Sequence, residues 1–196
     1  GHPCDMNLIQ ELADKHKLVI IEDAAHALES EYKGQKIGNM GNATAFSFYA
    51  NKNITTGEGG MLVTNDDALA ENIRIMRLQG ISRDAWKRFG KSGFAHWEQT
   101  LAGHKCNMTD LNASLGLHQI KKIERFMILR KKYVSMYDNA FADVPELETL
   151  AVRDYVTSAH HIYIIALQLE RFTVDRDEFL DAIQSAGIGV AVHYVA

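Results

Sequence analysis

The sequence predicts an α/β fold, and three observations carry that prediction. Helix-like and strand-like stretches alternate along the first half of the chain. One strand candidate, Leu18-Val19-Ile20-Ile21, is wholly apolar, as in a parallel sheet covered on both faces. Polar and reactive residues collect directly after the strands, at the carboxyl edge where open α/β sheets place their ligands.

Taken in order, Asp5 can cap a first helix through about Lys17, with Leu8, Ile9, Leu12 and Ala13 on one stripe. The apolar strand 18–21 then runs into Glu22-Asp23-Ala24-Ala25-His26-Ala27. Asp23 and His26 read there either as site residues or as a cap and a satisfied polar side chain. Tyr32 to Lys36 has the pattern of a tight hairpin. Thr44 to Phe48 and Met61 to Thr64 are further strands, and Asp66 or Asp67 caps a helix through about Leu78. Between Gly80 and Leu101 periodicity fades, and Trp86, Phe89, Phe94, His96 and Trp97 lie among charges. Such a loop either packs on a second subunit or contacts ligand.

Thr109 opens a long helical stretch to about Ala142, with Leu111, Leu115, Leu117, Ile120, Ile123, Phe126, Met127 and Leu129 at helical spacing. A domain boundary is placed near 125–145, ending at Pro145. Residues 1–130 form part of a large domain, and 131–196 a connecting helix and the start of a small α+β domain. That second part would hold a strand from His161 to Leu169, a helix from Asp175 to Ala186, and a strand from Ile188 to Val195.

Composition narrows the functional classes. Apolar residues make up 46% of the 196, and the formal charge of −4 carries no basic excess, which disfavours nucleic acid as a partner. No apolar run reaches the roughly 18 residues needed to cross a membrane. Two distant cysteines, Cys4 and Cys106, suit a reduced cytoplasm. The histidines, His160-His161 included, lack ligand spacing, so no metal is expected. The Gly-rich fingerprint of a nucleotide-binding Rossmann domain is not found after the first strand. With no initiator Met and an apolar last stretch, both ends read as cut from something longer.

One stretch dominates the remainder. Phe46-Ser47-Phe48-Tyr49-Ala50-Asn51-Lys52 leads into Asn53-Ile54 and then Thr55-Thr56-Gly57-Glu58-Gly59-Gly60. Burying an ammonium group costs several kcal/mol unless it finds a partner or loses its proton. A lysine set between aromatics and glycines is therefore a candidate nucleophile, against the alternative of an exposed loop lysine.

Three spaced motifs now stand in order: Ile21 to Ala27, Phe46 to Gly60, and Gly103-His104-Lys105-Cys106-Asn107-Met108-Thr109-Asp110. Together they resemble the DegT-type sugar aminotransferases, pyridoxal-phosphate (PLP) enzymes of the aspartate aminotransferase fold, over essentially the whole chain. The resemblance implies a large PLP-binding domain with a mainly parallel sheet. It makes Lys52 the residue that carries the cofactor and Asp23 the acid at its pyridine nitrogen. His26 matches a position near the phenolic oxygen, where many members have glutamine, and Ser47 matches a phosphate-binding hydroxyl. Asn107 matches a residue that reaches the phosphate from a neighbouring subunit, which implies a homodimer with shared sites. His104 and Cys106 depart from the family, which commonly has aromatics there.

The resemblance implies transfer of an amino group from an amino acid, glutamate, to a nucleotide-linked keto-sugar in the cytoplasm, within polysaccharide biosynthesis. The run from Ser82 to Arg88 looks like members acting on UDP-linked 4-keto sugars. Two alternatives stand beside it: a sugar dehydratase of the same family, in which histidine replaces the lysine, and a non-catalytic PLP-fold module.

Overall fold

The computed structural model describes residues 1–81 and 98–193. The expected aromatic contacts of Trp86 to Trp97 and the run from Ser82 to Arg88 lie outside the described residues. The chain forms two compact units: Gly1–Ile128 with Val152–His161, and Leu129–Ala151 with Ile162–Ala196.

The first unit opens with helix α1, Met6–His16, capped by the Asp5 carboxylate at the Leu8 amide. Its packed face is Met6, Ile9 and Ala13, against Ile20, Tyr32 and Tyr155. Leu8 and Leu12, expected on that stripe, are exposed instead. Asp5 also accepts from the Tyr32 hydroxyl at 2.6 Å and from that of Tyr155 at 3.5 Å. The Tyr32 hydrogen bond, foremost among several causes, holds the Asp5 carboxyl below its ordinary value of 3.8. A depressed carboxyl stabilises the fold above its unfolded value and loses that contribution as pH falls through the folded one. Tyr32→Phe is therefore expected to narrow the difference in urea midpoint between neutral pH and about pH 3.

Three strands form the sheet that carries the site: β1 (Ile21–Asp23), β4 (Ala43–Ser47) and β5 (Gly60–Val63), in the order β1-β4-β5. β1 and β4 run parallel, with Asp23 opposite Ala45, and β5 returns antiparallel, with Gly60 opposite Ser47. Strand β1 begins three residues later than the sequence pattern suggests. Ile20 is already engaged, its amide on Asn42 Oδ1 at 2.8 Å and its carbonyl on the Asn42 and Ala43 amides. Regular pairing starts only after that tie. Expected to be covered on both faces, the strand instead leaves Val19 71% and Ile21 74% exposed.

Between β1 and β4 lies the short hairpin of β2 (Glu31–Tyr32) and β3 (Gln35–Lys36). Lys33 and Gly34 turn it with φ of 49° and 78°, the two positive angles of a type I′ turn. β7 (Val156–Thr157) adds to β2 as a third strand, so the stretch Val152–His161 belongs to the first unit. α2 (Asp67–Met76), capped by Asp66, follows β5. Beyond it Gly80 and Gly103 let two backbone segments touch. A Cβ on Gly80 would lie 1.7 Å from the Leu101 oxygen.

The long helix expected after Thr109 is two helices, α3 (Asp110–Ile120) and α4 (Ile123–Phe141). The Lys122 amide reaches only three residues back, to Gln119. The chain then restarts so that Ile123 can bury against Phe48 and Ile54. Leu111 and Leu117 on α3 are 82% and 66% exposed.

In the second unit, β6 (Leu147–Thr149) pairs antiparallel with β8 (Ile165–Leu167), and α5 (Arg176–Ser185) has a capping box formed by Asp175 and Glu178. Tyr163 stacks on Tyr137 and donates to Asp138 at 2.7 Å. Burial, and then Asp138, keep its hydroxyl protonated well above the usual range. The strand expected from Ile188 is not formed over residues 188–193, where no neighbouring strand pairs with it among the described residues. Asp175→Ala should cost about 1 kcal/mol of stability, read as the unfolding midpoint of the full-length protein.

Candidate active site

The site is built on the carboxyl edge of β1 and β4. Asp23 ends β1, and its carboxylate accepts the Ala25 amide at 3.0 Å, an Asx turn that starts the descent into 24–27. The Ala24 amide still bonds across to Ala45. Ser47 ends β4, two residues past the partner of Asp23, or about 7 Å further along at about 3.3 Å per residue. Acid and hydroxyl thus emerge side by side from adjacent strands.

Lys52 follows in a tight turn, its amide bonded to the Tyr49 carbonyl at 3.0 Å. Phe48 before it and Ile54 after it are buried in one cluster with Ile123, flanked by Leu28, Phe46, Met108 and Phe126. These anchors leave Lys52 half-buried at the rim.

The turn after Lys52 is closed from several sides. The Phe48 carbonyl accepts from the Thr56 amide at 2.9 Å and from Thr55 Oγ1 at 3.2 Å. Gly57 has a φ of 78°, a left-handed conformation that favours glycine. A Cβ on Gly59 would come within 2.3 Å of Thr56 Oγ1. Asn112 of α3 donates its Nδ2 to the Thr56 carbonyl at 2.6 Å and to that of Glu58 at 3.1 Å. Losing both bonds should loosen the turn by about 1 kcal/mol. Asn112→Ala is thus expected to lower the stability of the full-length protein by about that amount, read as its urea unfolding midpoint.

His26 sits on the turn after β1, its ring centroid 4.2 Å from that of His161. His161 Nδ1 is 3.1 Å from Asn53 Oδ1, and Asn53 is the residue next to Lys52. Asn53 Nδ2 donates to the Ala159 carbonyl at 2.9 Å. Ser30 ties the same segment down, accepting the Ala159 amide at 3.0 Å and donating to the Gly1 carbonyl. Asp23, His26, Ser47 and Lys52 are thus carried by one connected framework. Asn107 is half-buried just before Met108, whose side chain packs on the Phe48 cluster. A cavity of about 250 Å³ borders Asp23, Ala24 and His26. The larger one, in the second unit, touches none of these residues.

Asn53, His161, Ser30 and Asn112 carry this framework, and single-sequence reading did not single them out for it. The doublet His160-His161 was visible, but its partner lies 108 positions away. Among the described residues no cluster of His, Cys, Asp or Glu is placed to hold a metal, and Cys4 and Cys106 are unpaired and exposed. No helix among them is long and apolar enough to cross a membrane.

Residues 1–196 match the DegT/DnrJ/EryC1/StrS aminotransferase family. The chain is 42% identical over its full length to the spore coat polysaccharide biosynthesis protein SpsC of Bacillus subtilis, covering 50% of that protein. It superposes on Helicobacter pylori PseC, an aminotransferase involved in the biosynthesis of pseudoaminic acid, with a TM-score of 0.87 and 34% identity, covering 98% of this chain and 50% of PseC. It also superposes on the PMP form of Spr1654, a proposed sugar aminotransferase of Streptococcus pneumoniae, with a TM-score of 0.85 and 32% identity, over 98% of this chain and 51% of that one. A PLP form of Spr1654 is likewise similar. The chain spans about half the length of the curated relatives it matches. With its aspartate aminotransferase-like α/β fold, it belongs to the DegT/DnrJ/EryC1/StrS aminotransferase family, whose cofactor is pyridoxal 5′-phosphate.

Proposed function

We propose that the full-length protein is a PLP-dependent aminotransferase that moves an amino group from glutamate to a nucleotide-linked keto-sugar, a UDP-linked 4-keto sugar. The observation that carries this reading is the placement of an acid, a hydroxyl and a half-buried lysine along one strand-end edge: Asp23, Ser47 and Lys52. That donor set fits the cofactor. Asp23 is exposed, and a carboxylate has about four acceptor positions, so it can take a ring N–H as well as the Ala25 amide. Ser47 offers a hydroxyl to a phosphate.

When bound, PLP supplies an electron sink for negative charge at the substrate carbon. Around it, the Asp23 carboxylate favours a protonated pyridine nitrogen, because an opposite charge at close range stabilises the charged form. The Lys52 amine would hold the cofactor covalently, and its Nζ, when free, would take and return a proton. His26 would contact the ring on its phenolic side, and Ser47 would donate its hydroxyl to the phosphate. In a homodimer with shared sites, Asn107 would help to hold the partner's phosphate. The exposed leucines of α3, which starts three residues after Asn107, support a second copy on that face.

The roles of SpsC in spore coat polysaccharide biosynthesis and of PseC in pseudoaminic acid biosynthesis support a sugar acceptor. Lys52 itself weighs against the dehydratase alternative, and intact Lys52, Asp23 and Ser47 weigh against a non-catalytic module. The test uses the full-length protein loaded with PLP. With glutamate alone it should release one equivalent of 2-oxoglutarate per site, and a UDP-4-keto-sugar should make that release catalytic. Release with no sugar dependence would remove the sugar acceptor from the account.

A further inference from the structure

His161 and Asn53 lie behind the residues already assigned, and both are buried polar side chains of the first unit, at 8% and 6% exposure. A buried amide and a buried imidazole are costly unless their hydrogen bonds are made in a definite sense. Here that sense can be worked out. Asn53 Nδ2 points at two carbonyls, Ala159 at 2.9 Å and Leu28 at 3.5 Å, which can only accept. The amide is thereby oriented with Oδ1 toward His161, and an oxygen there can only accept as well. The proton must therefore sit on His161 Nδ1, which donates to Asn53 Oδ1 across 3.1 Å.

That bond links two parts of the site. Asn53 is covalently next to Lys52, so fixing its side chain fixes the backbone from which Lys52 extends. The other face of the link is the His161 ring, packed on the His26 ring at 4.2 Å with a 33° tilt. Ser30 and Ala159 hold the His161 segment against the same floor. One buried side chain thus touches the supports of both groups expected to meet the cofactor.

We propose that Asn53 and His161 are a positioning pair that sets the Lys52 amine and the His26 ring relative to each other, with His161 as the Nδ1–H tautomer. This rests on the reading of Lys52 and His26 as cofactor residues. It adds two buried residues that act through Lys52 and His26. Two substitutions separate the halves of the role. His161→Phe keeps a ring against His26 and removes the donor to Asn53; His161→Gln keeps a donor and removes the ring.

The first readout needs no cofactor. In ¹⁵N-histidine NMR of the full-length apo-protein, His161 should appear as the Nδ1–H tautomer, and Asn53→Ala should abolish that preference. A predominant Nε2–H tautomer in the unaltered protein would overturn the proposal. The second readout uses the PLP-loaded protein. His161→Phe should still be fixed to cofactor at Lys52 by borohydride, while kcat falls about tenfold with KM for glutamate little changed, as expected for a misplaced reacting group. Asn53→Ala should do the same, and the double variant should be no worse than either, since both cut one link. His161→Gln should keep kcat within about threefold but alter the visible circular dichroism of the bound cofactor through His26. Should His161→Phe not fold, His161→Gln and Asn53→Ala decide on the same readouts. Variants with unaltered kcat and dichroism would overturn the positioning role and leave Lys52 in place. Borohydride fixation at some other lysine in the unaltered protein would overturn the underlying reading and this proposal with it.

Discussion

Lys52→Ala in the full-length protein is expected to abolish covalent retention of PLP and to lower the turnover of glutamate by at least about 10²–10⁴-fold, the usual worth of a positioned proton-transfer group. The effect should be chemical and local. Lys52 is half-buried on a turn whose anchors are Phe48 and Ile54, so removing its side chain leaves the cluster that organises the turn intact. Unfolding midpoints of the apo-protein should therefore stay close to those of the unaltered chain, since a substitution away from buried contacts shifts stability by about 0.5 kcal/mol or less. Added methylamine should restore part of the activity, because a free amine can take over the proton transfer in the space vacated. A large loss of apo-protein stability would mean that Lys52 is structural.

Asp23→Asn is the second large effect. The asparagine oxygen can still accept the Ala25 amide, so the Asx turn after β1 is expected to survive. On the proposed reading, what is lost is the negative charge that would keep the ring nitrogen protonated, and with it the cofactor's capacity to absorb charge. A loss of about 10²–10³-fold in kcat is expected, comparable to removing one preorganised electrostatic partner. PLP should remain fixable at Lys52. Steady-state kinetics beside borohydride trapping separate the two substitutions: one loses attachment and turnover together, the other turnover alone.

The residues of the candidate site are picked out in the sequence by local signals. Asp23 and His26 directly follow an apolar stretch, Lys52 sits between aromatic anchors and a glycine turn, and Thr109 and Asp175 are side-chain caps read from their own neighbourhoods. Strand ends and hairpins carry their own turn chemistry, as at Lys33-Gly34. The errors arose where distant residues decide. Strand β1 starts late because Asn42, 22 positions on, claims the Ile20 amide. The helix after Thr109 breaks because Ile123 is drawn to Phe48 and Ile54, far back in the chain. Residues 188–193 have strand-like composition, but a strand also needs a ladder partner. His161 and Asn53 were missed for the same reason, since nothing in either neighbourhood shows that the other will lie 3.1 Å away.

Cofactor attachment at Lys52 is the claim on which the rest depends. The most direct test incubates the full-length protein with PLP, reduces it with borohydride, digests it and locates the added mass. The account predicts a visible absorption band that reduction removes, and a pyridoxyl group on the peptide carrying Lys52 and on no other. A pyridoxyl group on a different lysine, or a full-length protein that binds no PLP, would contradict it.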